Sequence, residues 1–334
     1  MKFLPCFFIL FLVSIISNAQ KFSTLADLIN ITEKSKLKYI FTNTPREYNL
    51  ANRTSNLNLN NVYLEDSSGS IVIKVYDINA ETKKLTEEAE ILFRDGDIKK
   101  ARSKYLKILE DNPKYYMIMW NIAQTFESEG ATKKAKIWYE KAIESNYIDY
   151  MAHWFYANLL YNEGEYSKAC EEITMAWILN RNNDMIKNKA KEIYRKNKLN
   201  FIDWYFNPEI EIYDKGVIVN VFYNELWYGY AINKAIWKFE PNYAKSKGDD
   251  PLKKSTFEER ECLMNLLVGL KLNENIEIED ISIKNLIKAS DNNYIDEYII
   301  FEIWLPDYPF LIYQLQTSTL KRISDYILNI RSKR

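Results

Sequence analysis

Three hexapeptides, Gly96–Ala101, Gly130–Ala135 and Gly164–Ala169, each open on glycine, close on alanine and start 34 residues apart. The whole 334-residue chain has only eight glycines, so three in one register mark a unit used three times. A period of this length belongs to supersecondary units that cannot bury their apolar face alone and must stack on copies of themselves. Framed from Thr82, the units are 82–115, 116–149 and 150–183. Their eighth place holds Ala89, Ala123 and Ala157, and their twentieth Ala101, Ala135 and Ala169. The eleventh holds Leu92, Phe126 and Leu160, and the twenty-fourth Tyr105, Tyr139 and Ile173. Small residues let two helix backbones approach and large ones fill the volume beside them. Glycine adopts the left-handed turn between the helices without steric cost. The hexapeptide is therefore a turn leading into a helix–helix contact, not a chemical site.

The small-and-large pattern at a period of 34 resembles the tetratricopeptide repeat, over about 100 residues. The resemblance implies pairs of antiparallel helices whose first members line a concave groove that takes a peptide or a partner protein. Carried across place by place, the groove comprises Phe93, with Glu90, in the first unit. In the second it comprises Met117, Trp120 and Gln124, with Glu127, and in the third Met151, Trp154, Asn158 and Tyr161. Two tryptophans one repeat apart have the composition of an interface hot spot; the alternative is that other parts of the chain cover them. The Lys, Asn and Arg with which the family clamps acidic tails are replaced by residues such as Thr86, Glu90 and Met151. A peptide ligand is then expected to be apolar or aromatic. The first unit also departs from the pattern at Glu88, which marks an atypical edge. Beyond the third unit, 184–200 reads as a capping helix with Ile186, Ala190, Ile193 and Tyr194 on one face. Its lysines and arginine form a solvated face or, alternatively, a patch for an anionic partner.

The flanks differ. Residues 1–19 read as a secretory signal, with Lys2, a short apolar core over Phe7–Ile16 and a small-x-small site before the Ala19–Gln20 bond. That core is about half of the roughly 20 residues a spanning helix needs, and Cys6 precedes it, so a lipoprotein is not expected. The mature chain is expected to be secreted or periplasmic. Residues 20–81 form an N-terminal segment with a helix at 24–35, a polar stretch over 43–61, and a hairpin of 62–64 and 71–76. After Phe201 the period changes to alternating strands, 209–213 and 217–223, then helices at 229–239, 257–272, 280–289 and 318–330. Residues 245–254 read as a charged loop, and 295–305 suits either state, with helix favoured. The expected fold class is an α-helical solenoid plus an α+β domain over 201–334, predominantly α overall.

Charge excludes little but guides: 45 basic against 46 acidic residues give a net −1, so no global field points to nucleic acid. The single histidine, His153, sits where a packing residue is expected and leaves serine or cysteine nucleophiles without a base. No phosphate loop or metal-ligand spacing occurs, and no cofactor is implied. Cys170 and Cys262 suit either buried thiols or one disulfide. The carboxylates Glu258, Glu259, Glu261, Asp296, Glu297 and Glu302 lie among aromatics, the composition of a glycan-directed enzyme; helix N-termini favour acids for electrostatic reasons alone. Two readings follow: an exported protein-interaction module or scaffold without catalytic residues, and an envelope enzyme directed at glycan or peptidoglycan.

Overall fold

A computed structural model describes residues 22–44, 53, 56–59, 61–67, 70–248, 255–272 and 277–333. The expected signal and its Ala19–Gln20 site lie outside the described residues. In chain order the elements are α1 (Leu25–Lys34), β1 (Lys38–Asn43), β2 (Val62–Ser67), β3 (Ser70–Val75) and seven helices. These are α2 (Ala80–Arg94), α3 (Ile98–Asp111), α4 (Tyr116–Ser128), α5 (Thr132–Ser145), α6 (Tyr150–Asn162), α7 (Tyr166–Leu179) and α8 (Asp184–Lys196). Strands β4 (Ile210–Lys215) and β5 (Ile218–Tyr223) follow. Then come α9 (Tyr228–Phe239), α10 (Tyr243–Ser246), α11 (Phe257–Leu272), α12 (Ile281–Asp291) and α13 (Ile295–Tyr298), which continues as a π-helix over Ile299–Trp304. The chain ends through α14 (Leu305–Asp307), a 3-10 stretch at Pro309–Gln314 and α15 (Thr317–Tyr326), extended by a π-helical turn to Arg331.

The repeats are helical hairpins, α2–α3, α4–α5 and α6–α7, as their period requires. Gly96, Gly130 and Gly164 have φ of +83°, +71° and +81°. A side chain added at any of them would meet nothing within 4 Å, so backbone conformation, not space, demands glycine. Each turn closes alike: the N–H of Asp97, Ala131 and Glu165 donates to the carbonyl of Leu92, Phe126 and Leu160, at 2.8, 2.9 and 2.9 Å. All six repeat alanines, Ala89, Ala101, Ala123, Ala135, Ala157 and Ala169, are fully buried. Helix α8 begins at Asp184, one 34-residue step after Tyr150, and buries the four residues expected on its inner face. It is thus in register as the first helix of a further hairpin. Both α8 and the C-terminal α15 pack on α7.

The chain divides into two compact units, and the division differs from the expected one. One unit holds the described residues up to Arg53 together with Trp204–Trp304; the other holds the residues from 54 to Asp203 and those from Leu305 onward. Residues 201–334 are therefore not a single domain, and 20–81 is not a separate segment. The reason is non-local pairing. Strand β1, which alternation alone does not reveal, pairs parallel with β5 from Lys38↔Ile218 to Asn43↔Tyr223. Antiparallel β4 completes a sheet of order β1-β5-β4. Val219 and Val221 of the central strand are fully buried against Ala231 and Ala235 of α9, while Leu28 of α1 packs with Ile232, Ile236 and Tyr243. Helix α1 is fastened locally by a capping box between Thr24 and Asp27.

Hairpin β2–β3 forms as its sequence suggests, within the repeat unit. Residues 295–305 are helical. The charged loop at 245–254 begins inside α10, and 249–254 lie outside the described residues. Among the described residues no helix is long and apolar enough to cross a membrane.

Candidate binding groove

The first helix of each hairpin presents the predicted residues at equivalent places. Phe93, Met117, Trp120, Gln124, Met151, Trp154, Asn158 and Tyr161 are all half-buried, neither sealed in the core nor fully exposed. Phe93 and Met117 flank the cluster built on Ala89, Ala101, Tyr105 and Ile118. Trp120 packs on Phe155 of the next hairpin, ring centres 5.2 Å apart, and Phe155 stacks on Trp154 at 5.6 Å and 12°. The two tryptophans thus share one aromatic neighbour and form a ladder across the junction of α4 and α6. Trp120 also packs against the cluster of Met119, Ala142 and Ala152, so the repeat itself accounts for part of its burial. Farther along, the Lys189 ammonium of α8 lies 4.4 Å from the centre of the Tyr161 ring, and Glu192 raises the Tyr161 hydroxyl pKa through a hydrogen bond. The face therefore continues onto α8.

Continuing the 34-residue step identifies what the motif missed. Met117 and Met151 are followed by Met185, 61 % exposed, and the next places hold Asn188, Glu192 and Arg195. A methionine ladder adapts to irregular apolar surfaces because its side chain is unbranched and polarizable. The signal was available, since the register of α8 follows from Asp184 standing one step after Tyr150.

Polar groups hold the loops behind this face. Asp149 caps α6 by accepting from Met151 N at 3.1 Å, and burial pushes its carboxyl up to about 7 against the lowering pull of the Met151 N–H, His153 and Trp120. His153 lies 2.6 Å from Glu172, a buried packing histidine with a carboxylate partner. Asn112, Asn146 and Asn180 recur at the same period as helix C-caps, a pattern the sequence reading did not use. Asn146 donates to Val62 O at 3.1 Å. The Asn180 amide accepts from Leu57 N at 3.1 Å and donates to Leu57 O at 3.4 Å. The segment before β2 is thereby strapped along the inter-repeat loops, with Leu57 and Leu59 buried.

The carboxylates singled out for chemistry are occupied otherwise. Lys234 bridges Glu258 and Glu259 at 2.7 and 2.5 Å, and Tyr230 donates to Glu259. Glu261, fully buried, takes Lys247 at 3.0 Å, Trp237 Nε1 and Ser23 N at 2.7 Å each, and Tyr243 OH at 3.1 Å. Asp296 is held by both arms of Arg260. Glu297 and Glu302 are buried. Acids do gather at a separate cleft of about 570 Å³, with Glu209, Glu277, Glu279 and Asp280 around Trp227. There Asp280 caps α12 and Glu209 accepts from Asn224. Cys170 and Cys262 are free and buried, and burial raises the Cys170 thiol to about 12, which makes it a poor nucleophile.

No protein-family model matches the chain, and no curated protein matches it. Among solved structures it is similar to the Sgt2 TPR domain from Aspergillus fumigatus, at 20 % identity and TM-score 0.34, over 36 % of this chain and 81 % of that one. It is also similar to YrrB, a TPR protein with an unusual peptide-binding site, at 14 % identity and TM-score 0.32, over 71 % and 97 %. A third is pilF of Pseudomonas aeruginosa, at 16 % identity and TM-score 0.32, over 70 % and 94 %. The period, the three left-handed glycines and the six buried alanines carry the assignment within the chain itself: residues 82–183 are tetratricopeptide-type repeats.

Proposed function

We propose that this chain is an exported protein-interaction module or assembly scaffold, acting in the periplasm or outside the cell. In this reading it binds an apolar or aromatic peptide or partner segment along the first helices of its repeats. The observation that carries the reading is the ladder Trp120–Phe155–Trp154 with Met117 and Met151 beside it. Half-buried aromatic side chains, already held in place by neighbours, lose little freedom on binding and supply most of the energy of typical interfaces. An enzyme working with Glu258, Glu259, Glu261 and Asp296 has less support, because each of these carboxylates is paired with a lysine or arginine. The export half of the proposal rests on the sequence of residues 1–20 alone.

A photo-crosslinker placed at Gln124 or Asn158 tests the groove. It should trap a partner that a crosslinker at the exposed Ile137 does not, and the double change Trp120→Ala with Trp154→Ala should abolish the adduct while the repeats stay folded. Losing one hot spot typically weakens binding by at least about 2 kcal/mol, roughly thirtyfold. Equal trapping at Ile137, or a double variant that melts like Leu92→Ala with Phe126→Ala, would place the binding surface elsewhere. For export, intact mass of the mature chain should begin at Gln20; retention of residues 1–19 or acylation of Cys6 defeats that half.

A further inference from the structure

Past the last hairpin, the face that carries the aromatic ladder changes chemistry. The places of Trp154, Asn158 and Tyr161 are taken on α8 by Asn188, Glu192 and Arg195. After α8, Lys198 adopts a left-handed conformation (φ +58°), which turns the chain back so that 199–201 lie beside the helix. A pocket of about 360 Å³ opens there, with Asn188, Lys191, Glu192 and Arg195 on one wall and residues 199–201 on the other. The Phe201 ring is fixed against Trp177 and Tyr194, at 4.8 and 5.8 Å, and Leu199 N donates to Tyr194 O at 2.9 Å. The floor is therefore rigid and apolar.

The rim is cationic. The ion pairs of α8 are Lys187 with Asp184 and Asp203, and Lys189 with Glu192. Lys191 and Arg195, one turn apart on the same side of the helix, form no ion pair among the described residues. Glu192 between them is already engaged by Lys189 and by the Tyr161 hydroxyl, which together with Arg195 hold its carboxyl below the usual range although burial opposes the shift. Two cations and the amides of Asn188 and Asn200 thus surround a floor made of Leu199 and Phe201. A carboxylate matches the donors, since charge-assisted N–H···O bonds are the strong ones. An aliphatic or aromatic side chain on the same residue matches the floor. A bare anion leaves the floor unused, and a neutral apolar group leaves the cations unused.

We infer that this pocket binds the terminal residue of the ligand: an apolar residue with a free α-carboxylate, at the α8 end of the peptide lying along the aromatic face. The inference rests on the groove reading and gives the ligand a direction, C-terminus at α8 and apolar body over Trp154 and Trp120.

The test is an NMR titration of the mature chain at low salt with N-acetyl-leucine, N-acetyl-leucinamide and inorganic phosphate. The reporters are the Arg195 Nε–H and the side-chain amides of Asn188 and Asn200. Two apolar decapeptides ending in leucine, one as free acid and one as amide, are followed at the Trp120 and Trp154 indoles as well. N-acetyl-leucine should bind about tenfold tighter than its amide, the weight of one charge-assisted interaction. The exposed substitutions Lys191→Gln and Arg195→Gln together should remove that difference, and only the acid decapeptide should shift both sets of reporters. Acid and amide binding alike overturns the inference, and if the indoles still move the groove reading survives it. Phosphate binding as tightly as N-acetyl-leucine also overturns it, leaving a plain anion site. A pocket filled by N-acetyl-leucine while neither decapeptide moves the indoles overturns the link to the groove and the groove reading together.

Discussion

The repeat unit and the α+β unit bury their cores by different means. In the repeats, six alanines at two fixed places let neighbouring helices touch, and Tyr105, Tyr139 and Ile173 fill the space beside them. The contacts are local or between adjacent hairpins, and each surface recurs. In the α+β unit the core includes charges: Glu259, Glu261 and Asp296 are buried beside Lys234, Lys247 and Arg260. The local hairpin β4–β5 becomes a three-stranded sheet only because β1 meets β5 some 180 residues later, a separation read from Lys38↔Ile218. A core of repeated shape tolerates variation outside the small places, whereas a core held by particular ion pairs depends on each partner.

The largest contrast is expected at Glu261. Glu261→Ala leaves Lys247, the Trp237 N–H, Tyr243 OH and Ser23 N facing an empty site, and breaking a buried pair in this way costs about 3–5 kcal/mol. Urea unfolding followed by hydrogen exchange at α11 measures it; a loss below about 1 kcal/mol would mean the network contributes no more than a surface contact.

Next comes Asp149, the buried acid of the repeats. Its folded pKa of about 7 lies above the unfolded value near 4, so the folded state binds more protons between the two. Its contribution is present in full below about pH 4 and is lost as pH rises through about 7. Each unit of displacement is worth about 1.4 kcal/mol. Asp149→Asn keeps an acceptor for the cap, so the variant should be more stable than the parent at pH 8 and converge with it below pH 4. Parallel melting curves across that window would refute the burial argument.

Ala123→Leu is a packing test with a predicted cost of about 1–3 kcal/mol, because extra methylenes enter a filled helix–helix contact. The same change at the exposed Lys141 should be nearly neutral; equal melting temperatures for the two would put the repeat register in error. Smallest is Gly130→Ala, about 1 kcal/mol for forcing a side chain into the left-handed region. Since nothing crowds that position, Gly130→Asn should recover much of the loss, which a steric origin would not allow.

These contrasts also explain what was legible in the chain. Turn glycines and contact alanines were readable because a repeat states its rule three times, and the same register put Phe93 to Tyr161 at equivalent, half-buried places on the first helices. Met185 and the asparagine C-caps obey the same period and were readable in principle. Strand β1 was not. The run Lys38–Asn43 has no alternation strong enough to distinguish it from loop, and its partner lies in a distant stretch with its own local hairpin. The carboxylates were seen as a composition, but whether each would face a cleft or a lysine depended on side chains far apart in sequence. Lys234 and Glu259 meet only because α9 and α11 pack closely, a contact so tight at Gly229 that an added Cβ would lie 2.3 Å from Asn265 O.

By itself the sequence determined the hairpins, their turns and the face that carries Trp120 and Trp154, since these follow from local periodicity and from glycine's access to positive φ. Only the tertiary structure decided that residues 305–333 belong with the repeats, that α1 and β1 belong with the α+β body, and that Glu258, Glu259, Glu261 and Asp296 are neutralised by cations. Those outcomes depend on closing long loops and on desolvating charges in pairs, and neither leaves a periodic trace in the chain.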